Sequence, residues 1–262
     1  KELETYGSAG VGPLLQIALA SPNDHYMTGG SQIYGALSRL LRGVPQNHND
    51  ETLKATIAAY RSASPEYHFD MVQILFWLHE MPGVQEELAK AAATETNPLI
   101  RSFIVGDMGS WGHAYLGQLR ETLKDPNILI RAAAARSLAQ LKQDSGYPIA
   151  AKILTETDPA VSLGSPEGRA IREAVYTMEF LGTKKDLPAI QRFSQAREHK
   201  FVAQRAIWRI TLREMSSREE KIKYIEDEWA KTGNDYLQKE LGNLLDDKEQ
   251  ANFYYSALKK GA

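Results

Sequence analysis

A hydrophobic pattern with helical spacing recurs along the chain, and residues 125–141 show it most clearly. In this stretch an Asp-Pro pair precedes an alanine-rich run in which Ala134, Ala135 and Leu138 share one helical face. Proline is favourable in the first turn of a helix because its missing N–H would have no partner there. The stretch therefore predicts an amphipathic helix that begins near Pro126.

Six further stretches carry a weaker copy of this pattern. With the first residue of each copy numbered zero, the copies begin at residues 33, 71, 101, 131, 171, 203 and 237, on average 34 residues apart. Offsets +4 and +7 are small or apolar in every copy: Leu37/Leu40, Leu75/Leu78, Val105/Met108, Ala135/Leu138, Val175/Met178, Ile207/Ile210 and Leu241/Leu244. A partner helix is predicted after each copy, over residues 51–61, 84–93, 114–123, 148–154, 187–195, 218–230 and 249–258. No stretch indicates a strand, so the sequence predicts an all-α array of about seven helix pairs.

The clearest copy also resembles a known repeat family. Asp125, Pro126, Arg131 and the alanines before Leu138 resemble the short HEAT-like repeats of the phycobilisome-lyase type, with weaker echoes at Asn97-Pro98 and Ser165-Pro166. The resemblance covers residues 31–245. It implies a right-handed α-α superhelix, of the HEAT or armadillo kind, whose proline-led helices line the concave face.

The domain organisation follows from where the copies begin. Residues 1–30 are rich in glycine, and they predict a loosely structured segment with one short helix near residues 13–20. Residues 31–262 are expected to form the repeat array, in which Ser31 caps the first helix. The turn over residues 159–168 is longer than its counterparts, and long loops at repeat junctions are frequent contact sites.

The outward positions of the repeated helix suggest a binding groove. Offsets +2, +5 and +6 lie roughly opposite the apolar face, and aromatic and arginine side chains recur at the last two. Such side chains offer large contact area and planar donors for carboxylates. We expect a concave binding face made of Arg39, Phe76, Trp77, Arg136, Tyr176, Trp208 and Arg209. The alternative is that Phe76, Trp77 and Trp208 fill gaps between repeats.

Charge bears on the class of partner. The net charge is −2, which gives no general attraction to nucleic acid, although residues 184–223 carry eleven basic and five acidic residues. Because the HEAT-like folds include alkylpurine DNA glycosylases, this segment keeps a nucleic-acid ligand as an alternative. Glutamates interrupt the basic residues, which is typical of a solvated helix face. We therefore expect a protein or peptide ligand first.

Residues that carry catalysis are scarce. The chain has no cysteine, and none of its six histidines, of which His79 precedes Glu80, shows metal-ligand spacing. We expect a non-enzymatic protein without cofactor or metal; a HEAT-like lyase or enzyme-accessory subunit is a further alternative. No apolar run is long enough for a membrane span, so we expect a soluble protein. The start at Lys1 favours an exported or periplasmic protein over a cytoplasmic one.

Overall fold

The computed structural model describes residues 3–21, 32–42 and 47–245. All regular structure within these ranges is helical, which confirms the all-α prediction. The described helices are α1 Val11–Leu19, α2 Gln32–Leu41, α3 Asp50–Ser62, α4 His68–Trp77, α5 Pro82–Thr94, α6 Pro98–Asp107, α7 Leu116–Thr122, α8 Ile128–Gln140, α9 Tyr147–Glu156, α10 Pro166–Leu181, α11 Leu187–Ser194, α12 Lys200–Arg213, α13 Arg218–Thr232 and α14 Asp235–Leu244. The predicted cap at Ser31 and the predicted helix over 249–258 lie outside the described residues.

The helices belong to two compact units, Lys1–Gly146 and Tyr147–Ala262. In the first unit α1 packs with α2, α3 with α4, α5 with α6 and α7 with α8. In the second unit α9 packs with α10, α11 with α12 and α13 with α14. Seven helix pairs are therefore present in the described part of the chain, as the repeat count predicted.

For α2 to α12, the partner of each repeated helix differs from the one predicted. The predicted partner of α14, over residues 249–258, lies outside the described residues. The even-numbered helices carry the repeated pattern. Among the odd-numbered helices, the one that precedes each of them in the chain makes the most extensive contact with it. The sequence analysis instead assigned the helix that follows. A periodic pattern specifies which residues are apolar, but it does not specify which neighbour covers them, and this explains the wrong assignment.

The even-numbered helices also pack on one another. Within the first unit α2 contacts α4, α4 contacts α6 and α6 contacts α8, while α10 contacts α12 within the second unit. Twelve of the fourteen residues at offsets +4 and +7 are buried, and only Ile207 and Leu244 are half-buried. The repeated pattern thus marks the core of each unit.

Asparagine and serine caps begin most of the later even-numbered helices. The side chains of Asn97, Asn127 and Asn234 each accept a hydrogen bond from the backbone N–H two residues later, at 2.9–3.0 Å. Ser165 accepts one from the N–H of Gly168 at 3.0 Å. These caps satisfy N–H groups that have no partner inside the helix, so they fix where each repeat begins.

The N-terminal segment is part of the first unit's core. Its described portion contains α1, in which Val11, Leu15 and Ala18 are buried against α2 and α3. The predicted short helix is therefore present, and it pairs with α2 as the first pair. Residues 22–30 of the predicted loose segment lie outside the described residues.

Candidate functional site

The predicted site residues of the first unit have different surroundings. Arg39 is exposed on α2, and its guanidinium lies beside Gly35 of the same helix. Phe76 and Trp77, at the end of α4, are half-buried against the first unit's core. Arg136 is half-buried on α8. Of these four, Phe76 belongs to a cluster of aromatic side chains that reaches the surface.

The predicted site residues of the second unit separate into one buried and two accessible side chains. Trp208 is 1% exposed, so its assignment to a binding surface is corrected. Its indole N–H donates to Glu228 Oε2 at 3.1 Å, and its ring stacks on that of Tyr236 with centroids 6.2 Å apart. The gap-filling alternative holds for Trp208, whereas Tyr176 is half-buried and Arg209 is exposed.

The outward offsets are partly covered because neighbouring even-numbered helices pack closely. Gly106, Ser137 and Thr177, at offsets +5 and +6, are buried. The hydroxyl of Ser137 donates to the carbonyl of Val105 at 2.6 Å, which ties α8 to α6. Side chains at offsets +5 and +6 are therefore not exposed to solvent where two even-numbered helices contact each other.

An aromatic surface lies on α4, α6 and the turn that follows α6. It consists of Phe69, Phe76, Phe103, Trp111 and Tyr115. The Phe76 and Phe103 rings meet edge to face with centroids 4.8 Å apart, and the Phe69 and Phe103 rings are 5.9 Å apart. Trp111 continues the chain of rings, 6.2 Å from Phe76 and 5.6 Å from Tyr115. Edge-to-face pairs of this kind add about 0.5–1.5 kcal/mol each beyond burial, so the rings support one another.

Phe103 is the most accessible ring of the aromatic surface. It is 40% exposed, and Leu99, one helical turn earlier on α6, is 37% exposed. At the far end of α6 the Trp111 indole N–H donates to Asp107 Oδ2 at 3.2 Å, which fixes that ring. The aromatic surface therefore presents apolar side chains to solvent from a rigid frame.

An arginine face lies on α10 and α12 of the second unit. It consists of Tyr176, Glu179, Arg205 and Arg209. The Glu179 carboxylate is buried and accepts two hydrogen bonds from Arg205, at 2.6 and 3.1 Å, and one from Arg209 at 3.4 Å. The Arg205 guanidinium also lies over the Tyr176 ring, 5.0 Å from its centroid. Two guanidinium groups thus share one carboxylate.

Much of the remaining positive charge of residues 184–223 has partners inside the second unit. Arg213 donates to the carbonyls of Glu179, at 2.7 Å, and Gly182. Arg192 donates to three carbonyls at the end of α9, and Arg218 to that of Leu244. Lys223 pairs with Asp227 at 3.1 Å. These side chains stabilise helix ends and helix surfaces rather than forming one open basic patch.

The long turn predicted as a contact site is held to the segment before α12. Glu198 accepts hydrogen bonds from the Leu163 N–H and, at 3.2 Å, from the Ser162 hydroxyl, while the buried His199 lies 2.8 Å from the Val161 carbonyl through Nε2. The Leu163 hydrogen bond is the main cause that holds the pKa of Glu198 below its ordinary value. The turn is therefore structurally tethered.

Side chains that commonly bind metal ions are dispersed over the described residues. These residues contain no cluster of three His, Cys, Asp or Glu side chains suited to a metal ion. His68 pairs with Glu95 at 2.9 Å, and His79 Nδ1 lies 2.6 Å from the Phe76 carbonyl. No helix in the same residues is both long and apolar enough to cross a membrane.

The comparison with protein families agrees with this arrangement. Residues 86–164, which run from α5 to the long turn before α10, match the family model of HEAT repeats. This segment of the chain therefore resembles HEAT repeats. No match was found among curated proteins or among solved structures. The matched segment includes α6, which carries Phe103, and α8, whose sequence shows the repeated pattern most clearly. The phycobilisome-lyase type stays a prediction.

Two residues that are at least partly accessible were missed in the sequence, although a signal for them was present. Phe103 and Arg205 both stand at offset +2 of their copies, which is one of the three outward positions. The sequence analysis drew its candidates from offsets +5 and +6 alone. Offset +2 lies on the same side of the helix; it is exposed at Phe103 and half-buried at Arg205, but buried at Ala133 and Glu173.

Proposed function

We propose that this HEAT-like repeat protein is a non-enzymatic scaffold that binds a protein or peptide, with the aromatic surface of the first unit in its binding site. The observation that carries the proposal is Phe103, a large apolar ring that is 40% exposed and held by Phe69 and Phe76. Exposed apolar patches on a folded protein mark interaction sites. Arrays of helical repeats present extended surfaces of this kind.

The rigidity of the rings supports a binding role. Aromatic side chains have few rotatable bonds, so a partner that covers them loses little side-chain entropy while it removes much apolar area from water. Residues of this type dominate the binding energy of many interfaces. The proposal keeps Phe76 as a member of the surface and keeps Arg39, Trp77 and Arg136 as further proposed contacts. It leaves Trp208 out.

Nucleic acid is the weaker of the two candidate ligands. Seven of the eleven basic residues in 184–223 have a charged, carbonyl or aromatic partner within the second unit: Lys185, Arg192, Arg205, Arg209, Arg213, Arg218 and Lys223. Binding to duplex DNA depends on basic side chains that neutralise phosphates. Partners within the protein compete with phosphates for these side chains, which favours a protein ligand.

The test is a quantitative pull-down with matched variants. The full chain, its Phe103→Ala variant and its Phe201→Ala variant are immobilised, and proteins retained from a lysate of the source organism are measured by mass spectrometry. Phe201 is a suitable control because it is 54% exposed but lies on α12 of the second unit. We expect at least one protein to bind the unchanged chain and Phe201→Ala equally, and Phe103→Ala at least about tenfold less. The same retained proteins for all three chains would contradict the proposal.

A further inference from the structure

We propose that the arginine face binds a carboxylate of an acidic peptide segment, and that Arg209 makes the contact. This inference concerns the second unit and a charged ligand group, so it goes beyond the apolar recognition proposed for the first unit. It does not depend on the aromatic surface. A defined peptide probe tests the arginine face, whereas a pull-down from a lysate tests the aromatic surface. The failure of one proposal therefore leaves the other standing.

The charge balance of the arginine face points to an anionic ligand. Glu179 is the shared counterion of Arg205 and Arg209, and its oxygens already accept three hydrogen bonds. The arginine face as defined thus holds two guanidinium groups against one carboxylate. A second carboxylate, supplied by a partner, restores the balance.

Arg209 is the guanidinium that is able to reach this second carboxylate. Its side chain is 42% exposed, and within the described residues it donates one hydrogen bond, to Glu179 Oε2 at the long distance of 3.4 Å. A guanidinium has five N–H donors in a planar fork that matches the two oxygens of a carboxylate. Arg205, by contrast, is used by its paired hydrogen bonds to Glu179 and by the Tyr176 ring beneath it.

The surroundings of Arg209 favour a peptide carboxylate over a phosphate backbone. Arg192, Arg213 and Lys223, on the neighbouring helices α11 to α13, already have carbonyl or carboxylate partners within the second unit. A continuous row of phosphates needs several accessible cations, and partners within the protein compete with phosphates for these side chains. An extended peptide with single, spaced carboxylates places one of them on Arg209 without crowding the others.

The test follows arginine side chains directly by NMR. The full chain is labelled with ¹⁵N, and the Nε–Hε signals of Arg205 and Arg209 are recorded at low salt during titration with a peptide of alternating Glu and Ser residues. The matched probe has Gln in place of every Glu. We expect a saturable shift of the Arg209 signal with the Glu peptide and no saturable shift with the Gln peptide.

Three variants separate charge recognition from a general effect. Arg209→Gln keeps the Arg205–Glu179 pair and is expected to weaken binding of the Glu peptide about tenfold, the effect of losing a charge-assisted hydrogen bond, as read from the Arg205 signal. Arg209→Lys keeps the charge without the planar fork, and its affinity for the Glu peptide is expected to lie between those of the unchanged chain and Arg209→Gln. Lys223→Gln removes an equal charge from the exposed pair with Asp227 on α13 and is expected to bind normally.

Specific outcomes overturn the inference. They are the absence of a saturable shift with the Glu peptide, equal binding by Arg209→Gln and the unchanged chain, or equal weakening by Lys223→Gln. A duplex DNA probe that moves the Arg209 signal at lower concentration than the Glu peptide, with a steep loss on added salt, also overturns it in favour of nucleic acid.

Discussion

Arginine side chains join neighbouring helices by donating hydrogen bonds to carbonyl groups at helix ends. Arg101 donates to the Ala92 carbonyl in the last turn of α5 at 2.7 Å and pairs with Asp125 at 2.8 Å. Arg213 serves the end of α10 in the same manner. The last carbonyls of a helix have no intrahelical partner and carry partial negative charge. A guanidinium there donates the missing hydrogen bonds and brings a compensating positive charge. The basic character of residues 184–223 is therefore largely structural.

Glu198 gives a prediction for pH dependence at the level of one residue. Its pKa in the folded chain is lowered, chiefly by the hydrogen bond from the Leu163 N–H. A carboxyl whose folded pKa lies below its unfolded value stabilises the turn fully above the unfolded pKa, and this contribution is lost as the pH falls through the folded pKa. We expect the Leu163 amide proton to move upfield in NMR spectra as the pH falls, with a midpoint below that of an ordinary glutamate.

Two controls are available for this titration. In Glu198→Gln the carboxyl is absent, so the Leu163 signal is expected to stay constant over the same pH range. The Gly168 amide, which donates to the uncharged Ser165 hydroxyl, is expected to stay constant in both proteins. A Leu163 signal that titrates equally in the variant would show that another group controls the turn.

Single residues also show where sequence reasoning about the site succeeds and where it stops. Offset and residue type indicated that Phe76, Tyr176 and Arg209 lie on the outward side of their helices, and these three side chains are at least partly accessible. The same offsets place Trp208 outward, yet α13 and α14 supply Glu228 and Tyr236 to cover it. Coverage by a neighbouring helix is a tertiary property that helical periodicity in one segment does not contain.

At the level of elements, α8 and the turn after α6 pack closely because small residues face each other. An added Cβ at Gly109 would lie 2.6 Å from the Ser137 carbonyl oxygen and 2.3 Å from the Gln140 side-chain oxygen. At Gly146 it would lie 2.4 Å from the Ala135 Cα. The alanines of α8 therefore permit close approach of the backbone from neighbouring segments. This is a packing reason for the alanine-rich composition that first marked the repeat.

A matched pair of glycine substitutions tests this packing. Gly109→Ala is expected to destabilise the first unit by about 1–3 kcal/mol, since the clash involves backbone atoms of α8. Gly117→Ala, on α7, has no atom within 4 Å of the new Cβ and is expected to be neutral or to stabilise by up to about 1 kcal/mol. Urea unfolding followed by tryptophan fluorescence measures both. Equal midpoints for the two variants would contradict the account of α8.

The order of the elements was predictable, and their pairing was not. Caps, prolines and apolar spacing placed most helices within a few residues of their observed bounds, as for α8 and α13. Those signals are local. Which odd-numbered helix covers a given even-numbered one depends on surfaces that are far apart in sequence, so α7 was assigned to α6 although it packs on α8.

At the scale of the whole molecule, the helical repeats use different residues for the core and for the accessible surface. The residues that repeat most regularly, at offsets +4 and +7, are nearly all buried and stabilise the two units. The accessible residues, such as Phe103 on α6 and Arg209 on α12, differ from copy to copy. A repeated core with varied accessible residues is suited to binding, because each repeat contributes its own contacts to a partner.

Site-specific photo-crosslinking tests the central proposal most directly. A benzoylphenylalanine is placed at Phe103, where it preserves an aromatic ring, or at Glu121, an exposed position on α7 whose side chain is 73% accessible. Irradiation in cells of the source organism, followed by mass spectrometry, identifies any attached protein. The proposal predicts a defined protein adduct from position 103 and none of that protein from position 121. No adduct from position 103, or the same adducts from both positions, would contradict a binding role for the aromatic surface.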